Sequence, residues 1–88
     1  MNLKIQRKHT IILHKIRSAF NTSIAEHKLM LAIIEAAIHD LYVSSYVSNR
    51  KSAIKYLSNE IVHAEICGVD SDWIRRIINT IDKGILEE

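Results

Sequence analysis

The sequence predicts an all-α fold: a compact bundle of about five helices around a central apolar helix, with a C-terminal helix-turn-helix-like unit. Three observations predict it. The 88 residues include no proline and only two glycines, and 48% are hydrophobic, a composition that favours packed helices over sheet or disorder. Apolar residues recur at three- and four-residue intervals over most of the chain, the period of a half-buried helix. The run Leu29–Ile38 (LMLAIIEAAI) carries Glu35 as its only charge, and a helix apolar on every side is normally covered on every side. A chain this short makes one domain, burying roughly 60–65% of its unfolded surface.

The first helix is expected from about Leu3 to Phe20, inside a basic amphipathic segment 1–22. At 100° per residue, Ile5, Ile12, Ile16 and Phe20 share one face, with His9 and Leu13 beside it. Lys4, Lys8 and Lys15 gather on the opposite face with Arg7 and His14, and Ile11 sits among them. That stripe reads either as a solvated face or as a contact for phosphates or an acidic surface.

The central segment, 23–43, follows. Ser23 and Glu26 form a capping box in sequence: the serine oxygen takes the N3 amide and the glutamate reaches back. The second helix then runs from Ile24 to about Tyr42, buried by its neighbours or partly covered by a partner chain. Ala32, Ala36 and Ala37 would permit close helix approach.

Three short helices are expected within 49–84. Val43–Asn49 reads as a link, and Ser48 or Asn49 can cap a helix from Arg50 to Leu57 with Ala53, Ile54 and Leu57 inward. Ser58 and Asn59 offer the cap of a fourth helix ending at Cys67. Gly68 falls where a helix needs a left-handed C′ residue. Asp70 or Ser71 caps the fifth helix, whose broad apolar face holds Trp73, Ile74, Ile77, Ile78 and Ile81 before a stop at Gly84. Residues 60–79 thus have the apolar skeleton of a helix-turn-helix.

Charge is polarised along the chain. Residues 1–28 set six basic residues against Glu26 alone, a balance of +5; residues 59–88 set Arg75, Arg76 and Lys83 against seven acids, a balance of −4. One cysteine excludes an internal disulfide and fits a reducing compartment. With no membrane-length apolar run and no signal-peptide pattern, the chain is expected to be cytoplasmic, without membrane contact.

Motifs for chemistry are sparse. Glu35 with His39, and His63 with Cys67, stand four apart and could each supply half of a metal site. Neither is extended by a second pair in a known ligand spacing. Glycine-rich phosphate loops and nucleophile elbows are missing from the sequence. The expectation is a non-enzymatic protein with no cofactor and no metal.

From Ala36 onward the chain resembles a family of small phage- and prophage-encoded helical proteins. The matching residues are Ala36, Ala37, Asp40 and Leu41; Arg50, Ala53, Tyr56, Leu57 and Ser58; the turn Cys67, Gly68, Val69, Asp70; and Trp73, Ile74, Arg75, Arg76. The resemblance covers roughly residues 32–78, and the first 28 have no counterpart. It implies a helical fold and a phage-like origin more than an activity.

Two functions fit these features. One is a DNA-binding transcription regulator, expected to be a homodimer, in which Arg75, Arg76 and Asn79 reach double-stranded DNA from the second helix of the motif. Lys83 would contact the backbone, and Lys4, Lys8 and Lys15 would grip flanking phosphates. Asp70 and Asp72, at the leading end of that helix, oppose this reading. The other is a host-takeover factor, anti-defence inhibitor or assembly adaptor that binds a host or phage protein with an acidic surface. Its anchor would be the basic first helix, or Trp73 with Arg75 and Arg76. A self-assembling or RNA-binding module ranks third, since the basic face carries few aromatics to stack bases.

Overall fold

Periodicity in the sequence resolves into five helices in the computed structural model, which describes residues 3–86, with side chains from Arg7 onward. They are α1 (Leu3–Ser18), α2 (Ala25–Val43), α3 (Val47–Ser58), α4 (Val62–Ile66) and α5 (Ser71–Ile81). No strand occurs among the described residues. The radius of gyration is 12.3 Å, close to the ~12 Å expected of a folded chain this long.

α2 is central in the sense predicted: α1, α3 and α4 all pack against it, while α5 packs on α1 and α4. Arg17 lies beside Glu35 and His9 beside His39 and Tyr42, so α1 and α2 run antiparallel. The buried core is aliphatic apart from Phe20. Ile12 and Ile16 of α1 meet Leu31, Ile34, Ile38 and Leu41 of α2, with Leu57, Ile61, Ala64, Ile74 and Ile78 closing it.

Burial of α2 by the chain's own helices is one-sided, so of the two expected ways of covering it, enclosure by its neighbours alone does not hold. Leu29 is 61% exposed and Ile33 38%, with Ala32 and Ala36 exposed on the same face. α1, α3 and α4 pack against α2 on the side of Leu31, Ile34, Ile38 and Leu41 and leave the other side open.

Helix starts follow local hydrogen bonding rather than the expected caps. Asn21 Oδ1 accepts from the Ser23 amide at 3.2 Å and from its hydroxyl, a side-chain turn that competes with helix capping. Ser23 is therefore turned away, and α2 begins at Ala25 with no side-chain cap. α3 starts at Val47, earlier than expected. Ser48 and Asn49 lie inside it, and Ser44 Oγ accepts from the Tyr46 amide and from Asn49 Nδ2. Asn59 closes α3 instead of opening α4, its Nδ2 donating to the Lys55 carbonyl at 2.6 Å.

The α4–α5 turn matches the reading closely. Gly68 has φ +77°; its amide donates to the Glu65 carbonyl at 3.0 Å, and the Val69 amide to the Ala64 carbonyl at 2.9 Å. That is the paired bonding of a Schellman stop, in which only glycine adopts the C′ conformation without cost. Asp70 caps α5, accepting from the Asp72 amide at 3.0 Å. α5 ends at Ile81, three residues before Gly84, and Gly84 (φ +70°) instead turns the chain after the helix. That turn returns Leu86 to the core at 7% exposure.

Candidate functional site

α5 has two flanks with different duties. Ile74 and Ile78 are fully buried and fix the helix against the core. On one flank, the Arg75 guanidinium donates to the Asn59 backbone carbonyl and to Asp72. Asn79 Oδ1 accepts from the Leu86 amide at 3.0 Å, and Ser58 Oγ donates to the Leu86 carbonyl at 3.3 Å. Arg75 and Asn79 therefore tie α5 to the end of α3 and to the returning chain. Both of these expected contact residues of α5 are engaged internally.

The other flank is open. Trp73, Ile77 and Ile81 are four residues apart and only partly buried, so the apolar face of α5 is wider than the core it covers. α1 lies alongside, antiparallel, with Lys8 paired to Asp82 at 3.1 Å. Between the helices is a groove of about 240 Å3 lined by Lys15, Trp73, Arg76, Ile77, Thr80 and Ile81. The structure thus unites one residue from each expected set, Lys15 from the first helix and Arg76 from the fifth. Both are exposed and neither forms an ion pair among the described residues.

The remaining residues are separate from this groove. Lys83 is exposed beyond the end of α5, and the Lys4 side chain lies outside the described residues. Trp73, expected chiefly in the core, is half-buried and lines the groove. The sequence held the signal: an apolar arc from Trp73 through Ile81 to Ile74 is broader than a small core can cover.

His63 is half-buried and Cys67 packs against the core. Tyr56 Oη and His63 Nδ1 share a 2.6 Å hydrogen bond between α3 and α4, and burial raises the Tyr56 phenol pKa. Glu35 accepts from Arg17 at 2.8 Å. Burial also raises the Cys67 thiol, which disfavours the reactive thiolate. Among the described residues, no three His, Cys, Asp or Glu side chains converge as a metal site would need.

His9, on the core side of α1, lies 5.8 Å from the His39 ring and 5.7 Å from the Tyr42 ring. Its Nε2 and the Tyr42 hydroxyl are buried without hydrogen-bond partners among the described residues. Burial and then the His39 charge lower the His9 pKa. Burial and then the nearby Asp82 raise that of Tyr42.

No described helix is long and apolar enough to cross a membrane. Comparison with protein-family models, curated proteins and solved structures finds no match.

Proposed function

We propose that this chain is a non-enzymatic module that binds another protein, docking the α1–α5 face on an acidic surface. The observation that carries this reading is the division of α5. Arg75 and Asn79 are held by Asn59, Asp72 and Leu86, while Arg76, Lys15 and Trp73 stand together on the open side. A helix reading DNA needs its outward polar residues free for base edges and phosphates. Here half of that set is spent, and exposed Asp70 and Asp72 lead the helix. Tryptophan and arginine at a partly apolar groove are the residue types that dominate protein interfaces. A phage-like origin, which the sequence pattern over residues 32–78 implies, would suit a host-takeover factor, anti-defence inhibitor or assembly adaptor in the host cytoplasm.

Regulatory DNA binding is the second reading, favoured by the antiparallel α1 that sets Lys15 beside Arg76. One pair of measurements separates the two. The chain and its Lys15→Glu/Arg76→Glu variant are titrated with duplex DNA at low and moderate salt, and both are used as bait for proteins from a bacterial host, identified by mass spectrometry. The expected result is no saturable DNA binding and a protein captured by the parent chain but released by the variant. Saturable, salt-dependent DNA binding that the variant abolishes, with no such protein, would overturn the proposal.

A further inference from the structure

The α1–α5 groove has a shape and charge that specify its occupant more narrowly. Its floor is Trp73, Ile77 and Ile81, a row along one side of α5. Eight helical rises from Trp73 to Ile81 make that row about 12 Å long. A cation stands on each wall, Lys15 on α1 and Arg76 on α5. At about 240 Å3, the space falls below the roughly 300–1,000 Å3 of pockets that enclose whole small ligands. It suits inserted side chains from a larger partner.

From this geometry we infer that the groove takes a short acidic amphipathic helix, which lays apolar side chains on Trp73 and Ile77 and sets carboxylates against Lys15 and Arg76. This rests on the protein-binding reading above. Helix-in-groove recognition lays the apolar face of an amphipathic helix into a furrow, and Trp73, Ile77 and Ile81 give an apolar row about two turns long for it. The electrostatic match is local. Lys15 and Arg76 flank the row, whereas Asp70 and Asp72 lie at the start of α5. Asp72 adjoins Trp73 in sequence, so a bound helix must set apolar side chains at that end and its carboxylates toward Arg76 and Lys15. A DNA duplex would run its phosphates over those acids, since phosphate contacts extend along the backbone in both directions.

Trp73 is the only tryptophan and lines the groove, so its fluorescence reports occupancy directly. The full chain is titrated with a synthetic helical peptide of about twelve residues, with Leu and Phe four apart flanked by glutamates. A glutamine version of that peptide and a duplex DNA serve as the other ligands. The acidic peptide should shift Trp73 emission saturably. The glutamine version and the Lys15→Glu/Arg76→Glu variant should each weaken binding by up to about tenfold, the upper range expected for two exposed ion pairs. Lys51→Glu/Lys55→Glu, on α3, should leave it unchanged, and a thermal melt checks that each variant is folded. Equal affinity for the acidic and glutamine peptides, an emission shift with DNA alone, or no shift with any ligand would each overturn the inference. If the peptide fails while protein capture still depends on Lys15 and Arg76, only the helical occupant falls. If capture fails as well, so does the protein-binding reading.

Discussion

The Glu65 carboxylate reaches across the glycine turn to Ser71, accepting from its hydroxyl at 2.8 Å and from its amide at 3.1 Å. Ser71 is itself 3% exposed, and its Oγ accepts from the Ile61 amide at 2.9 Å. One hydroxyl thus satisfies the start of α4, and one carboxylate satisfies the start of α5. With Asp70 capping the next amide, the two short helices are joined by hydrogen bonds that neither would make alone.

Ser71→Ala should therefore cost more than its size suggests. It leaves the Ile61 amide buried and unsatisfied, a loss of about 1–3 kcal/mol. Urea denaturation should show a lower midpoint with an unchanged slope. A midpoint equal to that of the parent would mean water replaces the hydroxyl.

Gly68→Ala tests the turn itself. Nothing lies within 4 Å of an added Cβ, so the cost is conformational, about 1–2 kcal/mol for a left-handed alanine. Thermal melting should show this, with Gly68→Asn falling less because asparagine tolerates that conformation.

The two sides of α2 should respond in opposite ways. Ile34 is fully buried, and Ile34→Ala should lose about 2–5 kcal/mol, while Ile34→Asp should unfold the domain. Leu29→Ser/Ile33→Ser, on the open face, should change the stability of the isolated chain by no more than about 0.5 kcal/mol per site. A larger, concentration-dependent loss would show that a second copy covers that face. Sedimentation of the same samples reads the oligomeric state.

Acid should loosen the α1–α2 contact through His9. Its folded pKa is lowered, first by burial and then by His39, so the unfolded chain binds the proton more readily. Stability is then full above the unfolded value of about 6.5 and is lost as pH falls below it. Tyr42 and the Lys8–Asp82 pair also adjoin this contact. The urea midpoint of the parent should decline from neutral pH toward pH 5, and His9→Gln should flatten that slope. His39→Gln should reduce it by removing the second charge.

Periodicity carried most of the fold, because burial of one face repeats along every helix and leaves a trace at each turn. Gly68 and Asp70 were legible too, since the conformation of a C′ glycine and the bonding of an aspartate cap depend on few neighbours. Ser23 was not, because Asn21 competes for it and sequence spacing cannot rank two local hydrogen bonds. The open side of α2 stood only as one of two alternatives, because composition shows that a helix is apolar, not how many neighbours exist to cover it. At the candidate site, the outward positions of Arg75 and Arg76 look equivalent in sequence. Only the path of the chain, bringing Asn59 to one and Lys15 to the other, separates them. Leu86 was missed because its burial depends on a turn at Gly84 and on an asparagine amide seven residues upstream.

The division of α5 also bears on how such a protein can change. Ile74, Ile78, Arg75 and Asn79 carry the helix's structural obligations, so Arg76, Thr80 and Lys83 are released from them. Substitutions at those exposed positions should redirect the surface without endangering the domain. A lineage under pressure to follow a shifting target could revise that strip residue by residue and keep folding throughout.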